Sequence, residues 1–116
     1  MKVIVYGIKN CDTMRSAFAW LEQHGVAYEF HDYKRAGVPP ERLAAWAKRV
    51  GWEALANTRG PTWRRIPEID RQDLDPPRAL ALLEANPSAI RRPVVEVGKR
   101  VLVGFDAAEF ASILKP

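Results

Sequence analysis

Lys2-Val3-Ile4-Val5-Tyr6-Gly7-Ile8-Lys9-Asn10-Cys11-Asp12-Thr13-Met14 is the stretch on which the fold turns. Its first half, Val3 to Tyr6, is a nearly continuous apolar run, which suits a strand buried on both faces. Past Gly7 the period changes. Met14, Ala17, Phe18 and Leu21 recur at i, i+3, i+4 and i+7, the stripe of an amphipathic helix that begins near Asp12 or Thr13, and Gly25 follows as a C-terminal cap. Cys11, the single cysteine of the chain, therefore stands at the N-terminus of that helix. Backbone N–H groups there have no intrahelical partners, and together with the helix dipole they favour a thiolate or a bound oxyanion. Lone cysteines also serve as small inert core residues, and Asp12 next door opposes ionisation unless its carboxylate caps the helix and points away. Both readings stay open at this point.

Working outward, Ala27 to Tyr33 alternates as a second strand, parallel to the first if the helix is a right-handed crossover. Pro39-Pro40-Glu41 opens another helix with Leu43, Trp46, Ala47 and Val50 on one face and Gly51 at its end. A short segment from Trp52 to Ala56 leads into Asn57-Thr58-Arg59-Gly60-Pro61, dense in turn residues. Pro76-Pro77 starts a third helix, apolar at Leu80 and Leu83, which Asn86-Pro87 closes. Two β-rich runs around Gly98-Lys99 predict a hairpin, and a last helix runs from about Asp106, a good N-cap, to Leu114. The expected class is α/β: a four-stranded mixed sheet, βαβ…ββα, with the layout of a thioredoxin-like fold and a helical insertion at about 39–88. In that layout the proline just before the third strand usually has a cis peptide bond, and Pro93 occupies that place.

With 116 residues, the whole chain from 1 to 116 is expected to form a single domain. One cysteine forms no intramolecular disulfide, Met1 leads into a strand rather than a signal-peptide pattern, and no apolar run approaches the ~20 residues of a membrane span. The expected compartment is thus the reducing cytoplasm, away from a membrane. The net charge of +4 is gathered in small clusters, Lys34-Arg35, Arg64-Arg65, Arg91-Arg92 and Lys99-Arg100. Solvated surface charge accounts for most of these; they suit small anions, and no block has the length of a nucleic-acid tail, so nucleic acid is not the expected partner. His24 and His31 have no partner at metal-ligand spacing, and no metal site is expected. Trp20, Trp46, Trp52 and Trp63 are candidates for a surface that stacks on bases, Trp63 beside Arg64-Arg65 above all, but helical spacing makes core or interface packing the better reading for at least Trp46 and Trp52. Asp73 and Asp75, before Pro76, read as turn and N-cap residues rather than as an acid–base pair.

The chain resembles the arsenate reductase superfamily of thioredoxin-like proteins, the ArsC, Spx and YffB group, and is closest in wording to the YffB-like branch. The resemblance rests on Tyr6-Gly7-Ile8-Lys9-Asn10-Cys11-Asp12-Thr13-Met14-Arg15, Leu55-Ala56-Asn57-Thr58-Arg59-Gly60 with Thr62-Trp63-Arg64, Asn86-Pro87-Ser88, Arg91-Arg92-Pro93-Val94-Val95, and Val103-Gly104-Phe105-Asp106, in this order over nearly the whole length. It implies a glutathione-dependent thiol reductase with no bound cofactor. Cys11 matches the nucleophile, Arg92 an arginine that contacts oxyanion and thiolate, and Arg59 a second arginine from the middle region. A guanidinium suits both tasks, since its planar fork binds oxyanions and its charge lowers a nearby thiol pKa. Lys9, Asn10, Asp12, Thr13, Met14, Arg64 and Pro93 complete the expected substrate and glutathione site. Glutathione and a small oxidised or oxyanion substrate are the implied partners, with a glutaredoxin as a further one. Arsenate reductases of the group carry another arginine just after the last strand, where this chain reads Val103-Gly104-Phe105-Asp106, so the match does not extend to arsenate as natural substrate. Spx-type regulators often have Cys-x-x-Cys; here Cys11-Asp12-Thr13-Met14 supplies no resolving thiol, and any disulfide must involve another molecule. The alternative is a non-catalytic module that, in the manner of Spx, docks on the transcription machinery.

Overall fold

Why the opening stretch folds as it does is visible in the computed structural model, which describes residues 2–115. Val3–Gly7 forms strand β1, and Asp12–Gln23 forms helix α1 with Cys11 as its N-cap. Met14, Ala17, Trp20 and Leu21 are the buried stripe of α1, while Phe18 is half-buried at its margin. The helix ends in a Schellman motif: Gly25 adopts φ +66°, its N–H donates to Glu22 O at 3.2 Å, and the Val26 N–H donates to Leu21 O at 2.9 Å. A side chain at position 25 would strain that left-handed backbone.

Strand β2 is shorter than its sequence suggests, Glu29–Asp32, because Tyr33 begins a one-turn helix, α2, over Tyr33–Ala36. The Asp32 carboxylate accepts the Lys34 N–H at 2.9 Å, a local capping bond that competes with strand continuation. Near the C-terminus lie β3 (Val94–Val97) and β4 (Arg100–Val103), joined through Gly98 at φ +61°. The four strands are ordered β2-β1-β3-β4, with β1 parallel to β2 and antiparallel to β3, and β3 antiparallel to β4. The Arg92-Pro93 peptide bond is cis.

Two compact units divide the chain, Met1–Ala36 with Arg92–Pro116, and Gly37–Arg91. The first holds the sheet, α1 and the C-terminal helix, whose N-cap Asp106 accepts the Glu109 N–H at 3.0 Å. Its core gathers Val3, Val5, Met14, Leu21, Val95, Leu102 and Phe110; each large apolar side chain there contributes roughly 1.5–3 kcal/mol by leaving water.

The second unit is helical: α3 (Pro40–Val50), α4 (Trp52–Leu55), α5 (Pro61–Arg65), α6 (Glu68–Arg71) and α7 (Pro76–Ala85), then a 3-10 turn at Pro87–Ala89. The C-terminal helix of the first unit, Ala107–Leu114, is α8. Asp75 caps α7 by accepting the Arg78 N–H at 2.9 Å, and Asp73 takes a positive φ of 50° in the preceding turn, as the turn reading expects. Trp46 is fully buried, and Trp52 stacks on Trp63 with ring centroids 6.3 Å apart. Trp63 is buried, so its ring is not available as a platform for bases. Among the described residues no helix is long and apolar enough to cross a membrane, and no cluster of His, Cys, Asp or Glu is placed to hold a metal ion.

Candidate active site

The carboxyl end of β1 and the amino end of β3 lie side by side, because Tyr6 pairs with Val94 in the antiparallel ladder. Chain that leaves β1 therefore passes next to chain that enters β3. Ile8 is buried and Lys9 and Asn10 are exposed; the Cys11 N–H then donates to Lys9 O at 3.2 Å, closing a turn that hands the cysteine to α1. Cys11 itself is extended, φ −147° and ψ 137°, and its carbonyl accepts the Arg15 N–H at 2.9 Å as the first bond of the helix.

The thiol is free, half-buried, and makes no capping hydrogen bond of good geometry. Several effects act on its ionisation. Partial burial pushes its pKa up, but the Arg92 side chain as hydrogen-bond donor, the N–H groups of Met14 and Thr13, and the Arg92 charge together bring it below the ordinary thiol value. Asp12 does not oppose this at close range, since its carboxylate reaches along the helix to Arg15 at 2.7 Å. Cys11, Arg92, Pro93 and the segment from Lys9 to Met14 are thus parts of one unit.

Arg59 and Arg64 belong to the other unit. Arg59 is exposed in the turn before α5, and Arg64 is exposed on α5.

Three features around this centre escape a reading by periodicity. Gly7 is the first: a Cβ there would meet Met14 Sδ at 2.6 Å and Cε at 2.8 Å, and would lie 3.5 Å from Arg92 Cβ. A glycine at the end of an apolar run that meets a cysteine-capped helix is the signal that marks it. The second is a buried polar pair, in which the Tyr6 hydroxyl donates to Glu96 Oε1 at 3.0 Å. Glu96 within Val94-Val95-Glu96-Val97 signals itself as an acid inside an otherwise apolar strand. The third is Tyr33, whose hydroxyl is buried and has no hydrogen-bond partner among the described residues. Burial drives its ionisation far above the ordinary phenol range; Tyr6 and Glu96 add to that push and the Arg92 charge opposes it, so the phenol keeps its proton.

An α/β sheet of this order, with one thiol held toward the anion at the first helix, defines the class: a thioredoxin-like protein with a single cysteine at its site. The profile of the ArsC family matches residues 6–113, and the chain belongs to that family. A solved structure of a YffB protein is 46% identical and superposes with a TM-score of 0.95, covering 97% of this chain and 99% of that one. An arsenate reductase (ArsC) related protein from Brucella melitensis, also 46% identical, gives a TM-score of 0.77 over 100% of this chain and 97% of its own. The global transcriptional regulator Spx of Streptococcus agalactiae is 31% identical over 107 residues, 90% of this chain and 77% of the regulator.

Proposed function

We propose that this protein is a thiol-dependent reductase in which Cys11 is the only nucleophile and glutathione the co-substrate. The observation that carries the reading is the Cys11 thiol itself, drawn toward its thiolate by Arg92 and by the N–H groups of Met14 and Thr13. Membership of the ArsC family and likeness to an arsenate reductase related protein support it.

In the proposed cycle the Cys11 thiolate attacks one sulfur of a mixed disulfide between glutathione and a second thiol. A new S–S bond forms to the glutathionyl sulfur, the old one breaks, and the second thiol leaves as a thiolate that takes a proton from water. A glutathione thiolate then attacks the Cys11 mixed disulfide. Oxidised glutathione departs, the Cys11 thiolate is regenerated, and two electrons have passed from glutathione to the substrate. Because no second cysteine exists, the resolving thiol is external, from glutathione or a glutaredoxin. The first-turn N–H groups of Asp12, Thr13 and Met14 hold negative charge developing at the site. Lys9, exposed two residues before Cys11, would serve the anionic groups of the ligands. The absence of an arginine in Val103-Gly104-Phe105-Asp106 favours sulfur over arsenate as the substrate centre.

The test is an assay of arsenate and of glutathione mixed disulfides side by side, with wild type and Cys11→Ser, together with mass spectrometry of the protein after incubation with oxidised glutathione. Turnover of mixed disulfides and a glutathione adduct at Cys11, both lost in Cys11→Ser, are expected. An unmodified thiol with ordinary pKa would overturn the enzyme reading. The match to Spx favours a second reading, a module that binds the transcription machinery and uses Cys11 little; an inert thiol would leave that one standing.

A further inference from the structure

The parallel pairing of β1 with β2 puts Gly7 opposite Asp32, so both strands end at the same edge of the sheet. Lys9 lies two residues beyond the end of β1, and Arg35 three residues beyond the end of β2. Between them is a cavity of about 600 Å3 lined by Lys9, Phe30, His31, Asp32, Arg35 and Ala36. Lys9 and Arg35 are exposed, and among the described residues neither lies within ion-pair distance of a carboxylate. The lining also holds one carboxylate, Asp32, one of whose oxygens accepts the Lys34 N–H at 2.9 Å. Phe30 provides an apolar wall, and the His31 ring is turned against Tyr6, with centroids 5.1 Å apart.

A second cavity, of about 390 Å3, shares Lys9 and Phe30 and continues along α1 to Phe18 and Tyr28. Its own arginine, Arg15, is paired with Asp12 at 2.7 Å. Lys9 and Arg35, which among the described residues have no carboxylate within ion-pair distance, thus both line the first cavity, at the end of the sheet where both parallel strands stop, whereas the second holds Lys9 with the paired Arg15 and with Glu22. An ammonium and a guanidinium that share a wall suit a carboxylate: the guanidinium fork takes its two oxygens and the lysine adds a point charge.

We propose that Lys9 and Arg35 form a carboxylate subsite for the sulfur compound that exchanges with Cys11, and that Arg35 sets the preference for thiols and disulfides bearing a free carboxylate. The inference rests on the proposal that Cys11 is a thiol-exchange nucleophile. The ligand that reaches the Cys11 sulfur would lay its acidic end along the Lys9 turn toward α2, while its disulfide stays at the N-terminus of α1.

Two disulfides of like reactivity separate the ideas: oxidised glutathione, which carries carboxylates, and bis(2-hydroxyethyl) disulfide, which carries none. Rates of Cys11 mixed-disulfide formation are measured by mass spectrometry for wild type, Arg35→Ala, Arg35→Glu and Arg35→Lys, and the ratio of the two rates is compared. The ratio should fall about three- to tenfold in Arg35→Ala, the size of a partly exposed charge-assisted contact, fall further in Arg35→Glu, and return toward wild type in Arg35→Lys. In wild type it should also shrink as salt rises. An unchanged ratio in Arg35→Ala, or equal losses with both disulfides, would overturn the subsite and leave the thiol chemistry intact. A wild-type thiol that reacts with neither disulfide would overturn both proposals.

Discussion

Met14 occupies the space that a side chain on Gly7 would need, its Sδ only 2.6 Å from where a Cβ would stand. Met14 is fully buried one turn into α1, and the same glycine lies against Arg92, so this contact sets how closely the cysteine-bearing turn approaches the start of β3. Gly7→Ala should lower stability by about 1–3 kcal/mol through overpacking, read as a drop in the urea midpoint. In a Met14→Ala background the same substitution should cost markedly less, because the clashing atoms are gone. Equal costs in the two backgrounds would show that Met14 is not the obstacle.

Arg92 acts on Cys11 both as a hydrogen-bond donor and as a charge. Replacing it by alanine should move the pH midpoint of iodoacetamide alkylation upward and slow alkylation at pH 7, since below the pKa each unit of rise removes about tenfold of the thiolate. Arg92→Lys should retain part of the effect, having the charge without the planar fork. If the midpoint is the same in Arg92→Ala and wild type, Arg92 does not stabilise the anion.

The lowered thiol pKa also links stability to pH. Between the folded pKa and the unfolded value of about 8.5, the unfolded chain binds the extra proton, so stability rises with pH across that window. The contribution is complete above the unfolded value and disappears as pH falls through the folded one. The stability difference between wild type and Cys11→Ser should accordingly grow with rising pH up to the ordinary thiol range and then level off. A difference that stays flat over that range would contradict the shift.

The Tyr6 hydroxyl is a donor to a carboxylate buried in the sheet. Tyr6→Phe keeps the ring in place and removes that donor, which should cost about 1–3 kcal/mol in chemical denaturation. Glu96→Leu in the Tyr6→Phe background should recover part of the loss, because it removes the acceptor as well. A Tyr6→Phe protein as stable as wild type would mean that the hydroxyl contributes nothing.

At the N-terminus of α7, Asp75→Ala removes the acceptor for the Arg78 N–H and should cost about 0.5–2 kcal/mol, with Asp75→Asn losing less. Thermal melts of the three proteins check the order.

Much of this protein follows from local rules written along the chain. The apolar run before Gly7, the 3.6-residue stripe from Met14 to Leu21, the proline-led helix starts and the Gly98 hairpin each report a preference that the backbone of a few neighbouring residues satisfies by itself. They determine the element order, and with it the mixed sheet and the place of Cys11 at a helix N-terminus. Tyr33 marks the limit of such rules: it continues the alternation of β2, yet a capping bond from Asp32 turns it into α2.

Tertiary structure alone decided what meets what. The Tyr6 hydroxyl on Glu96, Arg92 beside the thiol, and Lys9 and Arg35 on one cavity join residues far apart in sequence through the register of β1 with β2 and β3, and Met14 meets Gly7 only once α1 has packed back onto the sheet. Periodicity encodes which face a side chain takes, but the partner across the sheet depends on how the strands slide past one another, and that is chosen by the packing of the whole core.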